Sequence, residues 1–148
     1  MDTWLQDSPI RSHLLLWVCL ILIWGTSIHP GTITLDTEWL VVQNPILSVH
    51  SWDSWRTIWL DISVGTRLTL GAEYLPVRDL TVWFDWWVFG DSWGGHHLHS
   101  LLWYGLSCSL LWSINQQLFA RTSIVWLGTL MFMMHPTHVE SVVWLASR

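Results

Sequence analysis

The sequence contains no lysine, and charged residues make up only 11% of its 148 residues. Soluble domains carry roughly 25% charged residues, so this chain is short of the charge that coats a water-facing surface. Its formal net charge is −5. Since neutralising phosphates requires a basic patch, nucleic-acid binding is excluded. The composition therefore indicates an integral membrane protein.

Cysteine is also scarce, with only Cys19 and Cys108 present, both inside apolar runs. A disulfide framework would place cysteines in loops, so the pattern predicts two free, buried thiols. It leaves the redox compartment open.

Tryptophan, by contrast, is abundant: fifteen residues in a chain that is 51% hydrophobic. Tryptophan concentrates at the membrane–water boundary, where its apolar ring and its polar N–H both find suitable neighbours. The tryptophans therefore agree with a membrane location.

Three apolar runs predict three membrane helices, near residues 13–29, 98–119 and 122–139. A helix needs about 20 predominantly apolar residues to cross a bilayer, and the third run approaches that length only with residues beyond its proline. In the second run, the small residues Gly105, Ser107 and Ser109 predict the close approach of a neighbouring helix.

The first run has an alternative interpretation as a cleaved signal peptide. Arg11 supplies a positively charged start, but no A-x-A-like cleavage site follows the apolar stretch, which ends in His29-Pro30-Gly31. We therefore predict an uncleaved span.

The segment 30–97, between the first two predicted spans, holds eight of the eleven acids and three of the six arginines. Arg11 precedes the first span, and Arg121 lies between the second and third. The positive-inside rule then places the N-terminus and Arg121 in the cytoplasm and the 30–97 loop outside.

Two stretches of this outer loop, near 52–62 and 77–89, place aromatic residues at helical spacing. In the second, a stripe that includes Trp83 and Trp87 predicts one apolar face. Such helices either lie in the membrane plane or pack as ordinary helices, and the tryptophans favour the membrane plane. The fold class predicted is all-α and polytopic.

Four sequence landmarks follow one another along the chain. The acids Asp36 and Glu38 come first, and then the segments 74–81 (YLPVRDLT), 95–98 (GHHL) and 135–148 (HPTHVESVVWLASR). In this order they resemble the N-terminal part of bacterial polytopic glycosyltransferases of the GT-C type that carry tetratricopeptide repeats. They are also similar to the eukaryotic transmembrane and tetratricopeptide-containing O-mannosyltransferases.

The resemblance implies a partial GT-C fold in the bacterial inner membrane. It implies a polyprenyl- or dolichyl-phosphate sugar as donor, held among membrane lipids, and a protein or glycan hydroxyl as acceptor on the outer face. Members of the family have many spans, so we expect a fragment without activity of its own. No 34-residue repeat occurs in these 148 residues.

The resemblance also implies a catalytic acid in the first outer loop, where the family has two adjacent acids. Here Asp36 matches the first acid, Thr37 stands at the second position, and Glu38 follows. An acceptor hydroxyl loses a proton as it attacks, and a carboxylate is the simplest base. We predict Asp36 and Glu38 as catalytic residues. The alternative for Asp36 is a helix cap or a solvated loop acid.

Three further residues are predicted at the donor or acceptor site. Arg78 is expected to pair with Asp36 or with the donor phosphate, unless it only extends from an interfacial helix. His138 and Glu140 are expected to line the polar site or brace its loop. His135 and His138 raise the alternative of a divalent metal, but Pro136 interrupts the helix between them and no HExxH motif is present. No cofactor is therefore assigned.

Two other classes of function stay open. A non-catalytic membrane anchor or assembly protein would explain the altered acidic pair. A metal or solute transporter would use the histidines, but transporters carry ionisable groups at mid-span. The ionisable groups of this sequence cluster outside the predicted spans or at their ends, so a transporter is disfavoured.

Overall fold

The computed structural model describes residues 9–28 and 36–147, and helices dominate these residues. In chain order the α-helices are α1 Pro9–Trp24, α2 Trp52–Leu60, α3 Val64–Thr69, α4 Pro76–Phe89, α5 Trp93–Leu118, α6 Thr122–Met133 and α7 His138–Val143. A π-helical turn spans Glu38–Val42, and 3-10 turns span Gly25–Ser27 and Leu145–Ser147. No strand occurs in the described part of the chain, which confirms the all-α prediction. Residues 29–35, where the first predicted span ends and the loop begins, lie outside it.

Helices cover all three apolar runs, but their bounds differ from the predicted ones. α5 begins at Trp93 rather than near residue 98. The predicted third span is wrong at its end, because α6 stops at Met133 and α7 begins only at His138. Proline lacks the N–H that a helix interior requires and disfavours helical geometry in the preceding residue. Pro136 therefore separates the two helices.

Of the described helices, one is both long and apolar enough to cross a membrane. It covers Ile10–Ser27, 18 residues with a mean hydropathy of 1.5. α6 is apolar but has only 12 residues. α5 has 26 residues, a length of about 39 Å at the helical rise, but histidines, an asparagine and glutamines lower its hydropathy. The arrangement of three spans stays a prediction.

The long helices α1, α5 and α6 share one core with α7. Its buried side chains are Leu16, Leu20, Trp24, Leu101, Tyr104, Cys108, Trp112, Val125, Met133 and Val142. At its edge the Trp24 indole donates to the Met133 carbonyl at 2.8 Å, and the Tyr104 hydroxyl donates to the same carbonyl at 3.1 Å. These bonds occupy a carbonyl that the end of α6 leaves without a helical partner, so the end of α6 is fixed against α1 and α5.

Both cysteines are free. Cys108 is fully buried in this core, whereas Cys19 is only partly buried. The prediction of free thiols is confirmed, and that of burial is confirmed for Cys108.

Gly105 lies where α1 and α5 come closest. A Cβ atom at this position would stand 2.4 Å from the Trp17 ring and 2.7 Å from the Leu20 side chain. Real Cβ contacts are never so short, so only glycine fits between the two helices. The predicted close approach at Gly105 is confirmed.

Gly105→Ala is expected to destabilise the helix pair by about 1–3 kcal/mol, the usual cost of overpacking a core. Gly128→Ala is the matched control, because a Cβ there meets its nearest atom, on Asn115, at an ordinary 3.7 Å. Both changes gain helix propensity of about 1 kcal/mol. Thermal unfolding in detergent should therefore rank Gly105→Ala below wild type and Gly128→Ala at or above it. The reverse order would contradict the close packing of α1 on α5.

The described residues of the loop between α1 and α5 have a small core of their own. Its buried side chains are Val41, Leu47, Ile58, Leu70, Val82 and Ala146. The buried Asn44 crosses it: its amide donates to the Thr69 carbonyl at 2.8 Å, and its side-chain oxygen accepts from the Leu47 amide at 3.2 Å. The loop helices thus pack on one another and on the C-terminal segment.

The buried side of α4 carries two acids, and part of its aromatic stripe is exposed. Trp87 is 64% exposed and Phe84 is 39% exposed, whereas Asp79, Val82 and Asp85 are buried. A buried carboxylate is tolerated when it has hydrogen-bonding partners. Both carboxylates have such partners, because Arg78 in the first turn of α4 binds Asp79, and His96 and His99 of α5 face Asp85. The two acids of α4 therefore face inward, Trp83 and Trp86 pack at the edge of the loop core, and Trp87 is largely exposed.

Candidate functional site

Asp36 lies immediately before the π-helical turn, with its side chain exposed. Its backbone carbonyl accepts from the Leu40 amide at 2.8 Å, which fixes its position relative to the turn. The side chain lines a cavity of about 310 Å³, here called the Asp36 cavity. The residues that line it are Asp36, Leu40, Gly71, Glu73, Leu75, Arg78, Trp144 and Ala146.

Glu38 does not accompany Asp36 into this cavity. Its carboxylate is exposed and accepts from the Gln43 side chain at 2.7 Å. Of the two acids, Asp36 lines the cavity and Glu38 does not. Thr37, between them, is fully buried. The structure therefore separates the two predicted catalytic acids.

Arg78 reaches the Asp36 cavity from the first turn of α4, but the carboxylate that it binds is Asp79. Its Nε and Nη2 donate to Asp79 Oδ1 at 2.9 and 2.7 Å, and Nη2 also donates to the Leu70 carbonyl at 2.6 Å. Nη1 lies 3.8 Å from Glu73, beyond hydrogen-bond distance. Within the described residues, the predicted pairing of Arg78 with Asp36 is thus replaced by pairing with Asp79.

Burial affects the ionisation of the Asp79 carboxyl. Burial raises the pKa of the Asp79 carboxyl above its ordinary value, and the adjacent Arg78 guanidinium, which lowers it, offsets this only in part. Arg78 itself is mostly covered, with 13% of its side chain exposed. Arg78 and Asp79 thus form a partly buried ion pair at the edge of the Asp36 cavity.

A second cavity, of about 510 Å³, lies between α4, α5 and α7 and is called here the His138 cavity. It is lined by Val77, Arg78, Thr81, Ser100, Trp103, Tyr104, Ser107, Phe132, His138 and Ser141. The His138 ring packs on Tyr104 and Phe132, with ring centroids 5.0 and 4.4 Å apart. Arg78 lines both cavities, so it connects Asp36 on one side with His138 on the other.

The other two residues predicted near His138 lie outside both cavities. Glu140 is exposed and lines neither. His135 is also exposed, and its ring centroid lies 6.1 Å from that of His138. Across residues 9–28 and 36–147, no group of three histidine, cysteine or acidic side chains is placed to hold a metal ion.

Sequence reasoning did not single out several residues that line the site or support it. Asp79 follows Arg78 directly, and an acid next to an arginine in an otherwise apolar helix was the signal available for their pairing. Trp144 belongs to the C-terminal landmark, but nothing in the sequence indicates that it lines the Asp36 cavity. Glu73 and Tyr104 reach the cavities only because the chain folds back on itself, and no local pattern marks them.

Comparison with known proteins gives one relationship to report. The sequence aligns with "Protein O-mannosyl-transferase F38B6.6" of Caenorhabditis elegans, with 25% identity over 154 residues that cover 97% of this chain. The chain is distantly similar to an O-mannosyl-transferase. It spans 21% of the length of that protein. No family model matches the sequence, and no solved structure matches it.

Proposed function

We propose that this chain forms part of a membrane glycosyltransferase of the GT-C type. Such an enzyme transfers a sugar from a polyprenyl- or dolichyl-phosphate donor to a protein or glycan hydroxyl. The observation that carries the proposal is the Asp36 cavity, where a carboxylate and a guanidinium line one space. The distant similarity to a protein named as an O-mannosyl-transferase supports the same class.

In this proposal Asp36 is the general base. The acceptor oxygen attacks the anomeric carbon of the donor sugar, the bond from that carbon to the phosphate oxygen breaks, and the hydroxyl proton passes to the Asp36 carboxylate. The lipid phosphate leaves with the bonding electrons. A carboxylate that is exposed and lines a cavity can accept a proton from a substrate, which the buried Asp79 cannot do.

Arg78 supplies the positive charge for the leaving phosphate. Positive charge placed in advance where negative charge develops is a large source of catalysis. Nε and Nη2 are held by Asp79 and Leu70, so the guanidinium is fixed, and Nη1 keeps hydrogen-bonding capacity toward a phosphate oxygen. His138, across the same guanidinium in the His138 cavity, is proposed to contact the donor. Glu38 and Glu140 face solvent and are proposed to be dispensable for the chemical step.

The membrane arrangement is part of the proposal. The Ile10–Ser27 helix supports membrane association, and α5 and α6 are proposed as two further spans, with the N-terminus in the cytoplasm and the loop outside. Ser63 and Ser123 are both exposed positions. A membrane-impermeant thiol reagent applied from outside should modify a cysteine at position 63 and spare one at position 123. The opposite pattern would reverse the orientation.

The function itself is tested with membranes that contain the full-length protein. Radiolabelled sugar on a polyprenyl or dolichyl phosphate is supplied, and transfer to protein or glycan is measured against membranes that lack the protein. We expect transfer above that background. Absence of transfer with every lipid-linked donor tried would reject the enzyme class and favour a non-catalytic anchor or assembly role.

A further inference from the structure

A third cavity lies between α2 and α4, and aromatic rings form most of its wall. It measures about 430 Å³, within the usual range of small-molecule sites, and is called here the tryptophan cavity. Its lining residues are His50, Ser51, Trp52, Trp55, Trp83 and Trp87. None of them lines the Asp36 or the His138 cavity, so the tryptophan cavity is a separate site.

The rings of this cavity are held at steep angles to one another. Trp52 and Trp55 meet at 77° with centroids 5.8 Å apart, and His50 and Trp83 meet at 66° with centroids 6.2 Å apart. The Trp83 indole donates to the Val49 carbonyl at 3.0 Å, which fixes that ring. The lining therefore presents aromatic rings in several orientations, unlike a single flat surface that stacks on one planar ligand.

Two of the four indoles remain accessible at the mouth of the cavity. Trp52 is 77% exposed and Trp87 is 64% exposed, although each carries a large apolar surface. Clustered exposed aromatic surface marks a binding site more often than an isolated exposed side chain does. The backbone beneath is firm, because Ile58 of α2 and Val82 of α4 are both buried in the loop core.

The charge around the cavity favours a cationic ligand. No arginine lines it, so the ring faces are not already covered by a cation of the protein from within the cavity. Residues 36–97 contain eight acids and three arginines, a formal net charge of −5. A segment of this sign raises the local concentration of cations.

We infer that the tryptophan cavity binds a quaternary ammonium group of the choline type. Tryptophan faces attract such cations within about 6 Å of the ring centroid, and several rings around one cation form an aromatic cage. The ligand is a free quaternary amine or the headgroup of a membrane lipid, which share this chemistry. The inference does not depend on sugar transfer, since the tryptophan cavity shares no residue with the site proposed for it.

The test uses the full-length protein in a polyoxyethylene detergent, which contains neither an ammonium group nor a sugar. Isothermal titration compares choline with 3,3-dimethyl-1-butanol, a neutral molecule of the same shape. We expect choline to bind at least fivefold more tightly. Trp87→Ala and Trp52→Ala should each weaken choline binding by roughly fivefold to thirtyfold, while Trp87→Phe, which keeps a ring, should weaken it less.

Trp39→Ala is the matched control, because Trp39 is 49% exposed but does not line the cavity. It should bind choline as wild type does. Displacement of labelled choline then separates the two sources. A short-chain phosphatidylcholine that displaces it at lower concentration than free choline assigns the site to a lipid headgroup, and the reverse order assigns it to a free amine.

Three results would overturn the inference. Equal affinity for choline and the neutral isostere would show an apolar cleft without cation recognition. Unchanged choline binding in both alanine variants would place the ligand elsewhere. Binding of a methyl hexoside in preference to choline, lost in Trp87→Ala, would make the cavity a sugar subsite instead.

Discussion

Asp36→Asn is expected to lower the rate of sugar transfer by about 10²–10⁴-fold, the usual cost of removing a general base. The change keeps the size of the side chain and removes only its ability to accept the acceptor proton. Asp36 is exposed, so expression and membrane insertion should stay as in wild type. The measurement is transfer from a polyprenyl-phosphate sugar by membranes that carry equal amounts of each variant.

Glu38→Gln is the matched control for this variant. It removes a carboxylate two residues away that faces solvent and bonds Gln43, so we expect turnover within a few-fold of wild type. If Glu38→Gln abolishes transfer and Asp36→Asn does not, Glu38 is the general base. The proposed enzyme class is then still supported. If neither substitution changes a measurable activity, the catalytic role of this loop is rejected.

Arg78→Met is expected to destabilise the fold by about 3–5 kcal/mol, the cost of leaving one member of a buried ion pair alone. Asp79 is fully buried, and its Oδ1 receives two hydrogen bonds from Arg78. Methionine keeps the length of the side chain but supplies no donor. The loss should be visible as a lower unfolding midpoint in detergent at pH 7, and sugar transfer should fall as well.

The pH dependence of this variant follows from the Asp79 carboxyl. Its pKa is already raised by burial and is lowered in part by Arg78, so loss of Arg78 raises it further. An acid with a raised pKa in the folded state destabilises that state when ionised, and the cost disappears as pH falls toward the ordinary value of 3.8. Arg78→Met should therefore gain stability relative to wild type as pH is lowered below neutral.

A double variant isolates the buried charge. Arg78→Met combined with Asp79→Asn carries no unpaired carboxylate and should recover much of the lost stability at pH 7. If instead the double variant is as unstable as Arg78→Met alone, the loss comes from the bond to the Leu70 carbonyl or from packing. An unchanged midpoint in Arg78→Met would contradict the ion pair itself.

Much of the helical architecture could be predicted from the sequence, because it follows from local patterns. The apolar runs and the aromatic spacing of the loop located α1, α2, α4, α5 and α6. Gly105 was predicted correctly because a residue without a side chain in a long apolar helix has few roles other than close packing. The break between α6 and α7 at Pro136 is not predicted, because the predicted third span continues past the proline to reach bilayer length.

The candidate site was predictable only in part. The resemblance located Asp36, Arg78 and His138, and the structure places these three along two cavities that meet at Arg78. The resemblance did not indicate that Glu38 and Glu140 face solvent. Nor could it show that Arg78 binds its own neighbour, because the choice among several acids of one loop depends on which carboxylate is buried within reach.

The helices, the scarcity of charge and the free thiols follow from the amino-acid sequence alone, since propensity, hydropathy and residue counts act locally or over the whole chain. Tertiary structure alone decided which side of α4 is buried. The apolar stripe of α4 does not predict that Asp79 and Asp85 face inward, which they do because Arg78 and the histidines of α5 satisfy them there. Burying a carboxylate costs little free energy only where hydrogen-bonding partners lie within reach. The linear sequence does not show which side chains the fold brings close to each carboxylate.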